Sequence, residues 1–238
     1  MPARRPAKRT ETARVGTGTS RGEPETSRVK TGNVRVATET FRVDTPHGEA
    51  EVVLDQPRRA AGVLVLGHGA SGSVDAPDLI AVRDAAVAAG VAVARVTQPY
   101  RLLGRRVPAP AAQLDSAFSA AVAEVRRRVG ARLPVVVGGR SSGARVACRT
   151  AGQVGAVAVL ALAFPLHPPG RPEKSRAAEL DPAMPTLVIN GDADPFGVPE
   201  PVGAVEVAIR PGERHDLRRD PAAVATLAVD WLTARLRR

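Results

Sequence analysis

Six apolar runs of strand length recur along the chain, and they constrain its fold more than any other feature. Ala61–Leu66, Val91–Val96, Leu133–Val137, Ala156–Phe164, Thr186–Asn190 and Ala204–Ile209 are each five to nine residues long. Ala61–Leu66, continuously apolar, matches a strand buried on both faces, Val91–Val96 and Leu133–Val137 read the same way, and the other three are further strand candidates. Helical patterns lie between them. Pro77 opens a segment that runs through Ala89 and is closed by Gly90, while Leu114, Phe118, Val122, Val125 and Val129 recur at helical spacing up to Gly130. Near the end, Asp220 reads as an N-cap before Pro221, and Val224, Leu227, Ala228, Trp231 and Leu232 form one apolar stripe. Ahead of the first run, Glu39–Val43 and Glu49–Leu54 alternate apolar and polar residues around Thr-Pro-His-Gly, the signature of an antiparallel hairpin. A hairpin followed by alternating strands and helices predicts one α/β domain, with a mostly parallel sheet and helices on both faces.

Charge divides the chain differently. Residues 1–33 hold eight Lys or Arg and three Glu, half of the net charge of +10. They carry almost no large apolar side chains, so this stretch is expected to be a disordered basic tail ahead of a single domain over 34–238. An electrostatic arm for nucleic acid is one reading of it. Because Glu dilutes the cations, an extension without function, with Val34 as a candidate start, is preferred. Nucleic acid is not an expected partner except through that tail, since aromatic residues make up only 3% and leave no stacking platform. The longest apolar stretch, Val154 to Phe164, is 11 residues and ends at Pro165, too short to cross a bilayer. A single Cys148 leaves no disulfide framework and no cysteine-based metal cluster, so a cytoplasmic protein without cofactor or metal is expected. Nothing in the sequence sets an oligomeric state.

In a parallel sheet covered on both faces, ligands bind beyond the carboxyl ends of the strands, so chemistry belongs in the loops there. After Leu133–Val137 comes Gly139-Arg140-Ser141-Ser142-Gly143, a Gly-x-Ser-x-Gly between a strand and a helix over Ala144–Thr150. Such a tight turn exposes the serine hydroxyl at a helix N-terminus, and the glycines relieve crowding. Ser141 is therefore the candidate nucleophile, with Ser142 as fallback and the Ser142 N–H as an oxyanion donor. Asp194 follows Thr186–Asn190 and His215 follows Ala204–Ile209, in the order nucleophile, acid, base that one hydrolase architecture uses. Gly67-His68-Gly69-Ala70-Ser71-Gly72 ends the first buried run, and the N–H of Ala70 or Ser71 is expected to complete the oxyanion hole. His68 is expected to brace this loop. His167, between prolines after Ala156–Phe164, competes with His215 for the role of base but reads better as a rigid pocket wall. Cys148 reads as a small core residue. Tyr100, Arg140, His68 and His167 are candidate pocket residues. Arg101, Arg105, Arg106 and Arg140 suit either a clamp for an anionic substrate group or simply an arginine-rich surface.

The segments GHGASG, PYRLLGRR, GGRSSGARVACR, FPLHPPGRPEKSRAAEL and PTLVINGDADPFG, with the closing His215, resemble a named family. This is the group of small α/β-hydrolase-like proteins related to the Tex-thirty protein and the third KANSL chromatin-complex subunit, whose bacterial members are dienelactone-hydrolase-like. The resemblance runs from about Gly67 to His215. It implies an α/β-hydrolase fold with a minimal lid, in keeping with the short stretch between Phe164 and Thr186. It implies Ser141 as nucleophile, Asp194 as acid and His215 as base. Ala144 stands where relatives often carry a second glycine. The expected activity is hydrolysis of a carboxylic ester or thioester of a small acyl substrate through an acyl-enzyme. A non-catalytic scaffold that keeps the fold as an interaction surface is the alternative.

Overall fold

A computed structural model describes residues 25–31 and 34–236. A nine-stranded sheet forms its centre. Its strands in chain order are β1 (Glu25–Thr31), β2 (Val34–Thr45), β3 (Gly48–Pro57), β4 (Val63–Gly67), β5 (Ala92–Thr97), β6 (Val135–Arg140), β7 (Ala158–Leu162), β8 (Thr186–Gly191) and β9 (Val205–Arg210). Across the sheet they stand in the order β1-β2-β3-β5-β4-β6-β7-β8-β9. The first four in that order pair antiparallel, and every pairing from β5 to β9 is parallel. The expected hairpin is present as β2 and β3, whose ladder closes at Thr45 and Gly48. Gly48 there takes a φ of 102°, a conformation that a side chain would oppose.

The five central strands β4 to β8 are the expected apolar runs, and side-chain alternation splits each between two faces. Val63 and Val65 of β4 face one layer with Ala94 and Val137; Leu64 and Leu66 face the other with Val93 and Val136. Helices α3 (Ala111–Val129) and α4 (Ser142–Thr150) cover the first face through Leu114, Phe118, Val122, Val125 and Val146. Helices α1 (Pro77–Ala88) and α5 (Pro221–Leu236) cover the second through Leu79, Val82, Val224, Ala228 and Leu232. The Asp220 carboxylate accepts from the Ala223 N–H at 3.0 Å, as its reading as an N-cap requires. A four-residue helix, α2 (Pro99–Leu102), follows β5 directly, too short for any periodicity to reveal. The β7–β8 connection contains only a 3-10 turn, Ala177–Glu179, and no cap domain.

One departure concerns the tail. Glu25–Thr31, expected to be disordered, is a strand whose main chain pairs with β2 from Glu25–Thr40 to Thr31–Val34. The composition argument counted apolar side chains, whereas an edge strand is held by main-chain hydrogen bonds. Residues 1–24, 32 and 33, the rest of the expected tail, lie outside the described residues. No helix among the described residues is long and apolar enough to cross a membrane.

Candidate active site

β6 runs three residues further than its apolar core, through Gly138, Gly139 and Arg140, and at both glycines a bare main chain is what fits. A Cβ at Gly138 would lie 2.5 Å from the Leu160 carbonyl oxygen, and one at Gly139 the same distance from that of Gly67. The strand then turns into α4 at Ser141, with φ 52° and ψ −110°. That left-handed geometry costs a side chain about 1–3 kcal/mol and is held by its surroundings. The Ser141 N–H donates to the Leu162 carbonyl at 2.9 Å. On the far side, a Cβ at Gly143 would lie 2.4 Å from the Gly67 oxygen. The two glycines of Gly-x-Ser-x-Gly are thus required by one neighbour, the end of β4, which passes directly beneath the turn. Ala144 is completely buried against Ala161 and Phe164, and α4 begins at Ser142 without interruption.

Ser141, His215 and Asp194 come together. His215 Nε2 lies 2.8 Å from Ser141 Oγ, and His215 Nδ1 lies 2.8 Å from Asp194 Oδ2. A carboxylate only accepts, so Nδ1 carries the ring proton and Nε2 is left to take the serine hydroxyl proton. The Asp194 side chain is fully buried, whereas a fifth of the His215 side chain remains exposed. Two residues that sequence reading did not single out complete the arrangement. Asn190, at the end of β8, accepts from the Phe164 N–H at 2.8 Å and donates to the Phe164 and Gly197 carbonyls. Phe196 donates its N–H to Asp194 Oδ1 at 2.9 Å and lays its ring on His215, centroids 4.2 Å apart. A polar residue ending a buried apolar run was the available signal for Asn190. Phe196 had only its place two residues past the acid.

The loop after β4 passes beside the serine: a Cβ at Gly69 would lie 3.7 Å from the Ser141 Cβ. Gly72 N–H closes a turn on the Gly69 carbonyl at 3.0 Å, with Ala70 and Ser71 at its centre. The Tyr100 hydroxyl donates to the Ala70 carbonyl at 2.5 Å, and burial pushes its pKa up to about 12. It is spent on shaping the loop. His68 is buried, with Nδ1 donating to the Gly69 carbonyl at 2.7 Å and Nε2 accepting from the Gln98 N–H at 3.1 Å. Both nitrogens are engaged in the neutral ring, and burial is the main cause that lowers its pKa. His68 therefore braces the loop. Ser142 N–H, in the first turn of α4, has no partner within the helix and is free for an incoming oxygen.

His167 stands beside Asp194 and His215 and is bonded to neither. Its Nδ1 donates to the Pro168 carbonyl at 2.9 Å, and its Nε2 packs on Gly197 so closely that a Cβ there would approach to 2.4 Å. Cys148 lies in α4 with its thiol pushed up to about 12 by burial, which leaves it no thiolate at neutral pH. Arg140 departs from the expectation of a pocket residue. Its side chain is 14% exposed and turns inward, with Nε 2.9 Å from the Asp78 carboxylate and Nη2 donating to the His215 carbonyl at 3.1 Å. Asp78 was not singled out, because an acid after Pro77 looks like an ordinary helix N-terminal residue. Among the described residues no three His, Cys, Asp or Glu side chains converge as a metal would need.

Several solved structures share this architecture. An α/β serine hydrolase without lid from Xanthomonas campestris is 20% identical with a TM-score of 0.67, covering 83% of this chain and 94% of its own. Dienelactone hydrolase from Anabaena variabilis is 20% identical with the same TM-score, covering 90% and 99%. Est1E from Butyrivibrio proteoclasticus is 15% identical, TM-score 0.67, covering 84% and 99%. At such identities the likeness extends to the fold alone. A search of curated proteins finds no match. The alpha/beta hydrolase domain family, in contrast, matches residues 60–218, from just before β4 to just past His215. That span holds the parallel strands and every residue of the site, and the chain belongs to the alpha/beta hydrolase domain family.

Proposed function

We propose that the protein is a serine hydrolase that cleaves a carboxylic ester or thioester through Ser141, His215 and Asp194. The observation that carries this reading is the unbroken chain of two 2.8 Å contacts from serine oxygen to buried carboxylate. Ser141 Oγ attacks the acyl carbon while its proton passes to His215 Nε2, and Asp194 steadies the resulting imidazolium. The oxyanion is held by the N–H of Ser142 and that of Ala70 or Ser71. His215 then gives its proton to the departing alkoxide or thiolate, leaving an acyl-serine. Water attacks the acyl carbon as His215 takes its proton; the bond from that carbon to Ser141 Oγ then breaks, His215 returns the proton to Oγ, and the acid leaves. The serine hydroxyl aligned 2.8 Å from a histidine that is itself bonded to a buried carboxylate weighs against the non-catalytic alternative.

The dienelactone hydrolase and esterase among the structural neighbours support the reaction class and leave the substrate open. The narrower kinship with the Tex-thirty and KANSL group rests on segments such as PLHPPG and GDADPFG, and it brings no substrate with it. Short- and long-chain acyl esters and thioesters, offered to wild type and Ser141→Ala, test the proposal. Turnover of at least one acyl class that disappears with the serine is expected. Activity that persists in Ser141→Ala would overturn it.

A further inference from the structure

Arg140 reaches from the serine turn to the loop that carries His215. It is joined by a peptide bond to Ser141. Its Nη2 donates to the main-chain carbonyl of His215 at 3.1 Å, and its Nη1 lies 3.5 Å from where a Cβ on Gly69 would stand. The guanidinium is anchored from behind by Asp78, in the first turn of α1, whose side chain has no exposed surface. The Nε–Oδ2 approach of 2.9 Å is a buried ion pair that lies off the hydrogen-bond axis. Such a pair contributes little stability by itself, since a buried ion pair can often be replaced by apolar groups at no cost. The α1 helix dipole favours the carboxylate at this end. Burial nonetheless raises the Asp78 pKa while Arg140 opposes the rise. The pair is therefore better explained by what its cation reaches than by what it adds to the core.

The His215 loop needs such a hold. The ring's two hydrogen bonds, to Asp194 and Ser141, restrain its rotation but not the height of its main chain above the serine. Elsewhere the loop is tied from below: the Glu213 carboxylate accepts from the Arg219 and Asp220 N–H groups, and the Glu213 carbonyl accepts from Ala193. Among the described residues only Arg140 reaches His215's own carbonyl from the nucleophile side.

We propose that Arg140 is a positioning residue: anchored on Asp78, its guanidinium ties the His215 main chain to the serine turn, so that the base keeps register with Ser141. This rests on the hydrolase reading for its consequence in turnover, but the placement of His215 can be read without turnover. A lysine in place of Arg140 keeps the charge and loses the planar fork needed to span Asp78 and His215 together.

The test compares wild type, Arg140→Lys and the double replacement Asp78→Asn with Arg140→Met, which leaves no unpaired buried charge. Thermal melts report folding, proton NMR reports the His215 Nδ1–H donated to Asp194, and a fluorophosphonate probe together with p-nitrophenyl acetate reports Ser141. Both variants are expected to melt cooperatively, to lose or broaden the His215 Nδ1–H signal, and to react with the probe at least about tenfold more slowly, with KM for the ester within about twofold. A signal that stays sharp, with labelling within about twofold of wild type, would overturn the proposal. Full recovery in Arg140→Lys would also overturn it, because charge alone would then suffice. A wild type that shows the signal but takes no probe overturns the hydrolase reading instead, and the signal in the variants still decides the role of Arg140.

Discussion

Arg140 and Arg106 stand on the same edge of one sheet, yet the loops that carry them are built differently. Around Arg140, every strand end is tied to the next: Asn190 joins β8 to the segment after β7, Phe196 joins the acid loop to His215, and Arg140 joins the serine turn to the base loop. Main chains there approach so closely that a Cβ at Gly191 would lie 2.1 Å from the Glu213 oxygen. The segment after α2 is the opposite case. Leu103 and Val107 are 65% and 78% exposed, and among the described residues neither Arg105 nor Arg106 has an acidic partner. The contrast teaches that the arginines of this chain are not one class. Arg140 is engaged by a buried carboxylate and the His215 carbonyl, whereas Arg105 and Arg106 on the rim have no acidic partner among the described residues.

The sharpest way to break this contrast is at the two histidines. His215→Gln should lower kcat on the order of a thousandfold while leaving the melt in place, because it removes the base from a site that is otherwise intact. His167→Gln, at a ring that packs on Gly197 of the same acid loop, should stay within about tenfold of wild type. Comparable losses in both would mean that the wall and the triad had been wrongly separated. Gly143→Ala comes next. Its methyl group would be driven to 2.4 Å from the Gly67 oxygen, so the turn must shift. A loss of about 1–3 kcal/mol in stability, with a larger proportional loss of probe labelling, is expected by chemical denaturation and labelling rate.

A smaller effect follows from His68. Burial holds its folded-state pKa below the ordinary value of 6.5, so the unfolded chain takes up a proton first as pH falls. Its contribution to stability is present above about pH 6.5 and is lost progressively below it. Melting temperatures measured from about pH 7.5 to pH 5 should fall through that window, and His68→Gln should flatten the slope. The smallest effects belong to the rim. Arg105→Ala and Arg106→Ala should leave the melt unchanged and kcat on a neutral ester within about twofold. If either cost as much stability as Gly143→Ala, the rim would have to be counted with the wall.

Much of this was legible in the sequence, and the misses share a cause. The buried strands showed themselves because a strand covered on both faces has no polar positions to interrupt its run, as in Val63–Leu66. Their ends were less clear. Gly138 and Gly139 extend β6 because they pair through the main chain with β7, which no side-chain pattern reports. Ala163 ends β7 two residues early by taking a φ of 46° while its N–H still bonds to the Ile189 carbonyl. Ser141, Asp194 and His215 were readable because each follows a strand, and strand ends meet at one edge. Asp78 meets Arg140, Asn190 meets Phe164 and the Phe196 ring meets His215 only across the fold, so nothing local marked Asp78 apart from any other acid near a helix start. β1 was missed because its pairing with β2 is a main-chain register that no apolar pattern announces.

The central claim is that Ser141 is an activated nucleophile. Incubation with a fluorophosphonate probe, followed by peptide mapping, tests it most directly. The account predicts labelling of wild type at Ser141 alone, and none in a Ser141→Ala variant that melts at the same temperature. An unlabelled wild type, or equal labelling of Ser141→Ala, would contradict it.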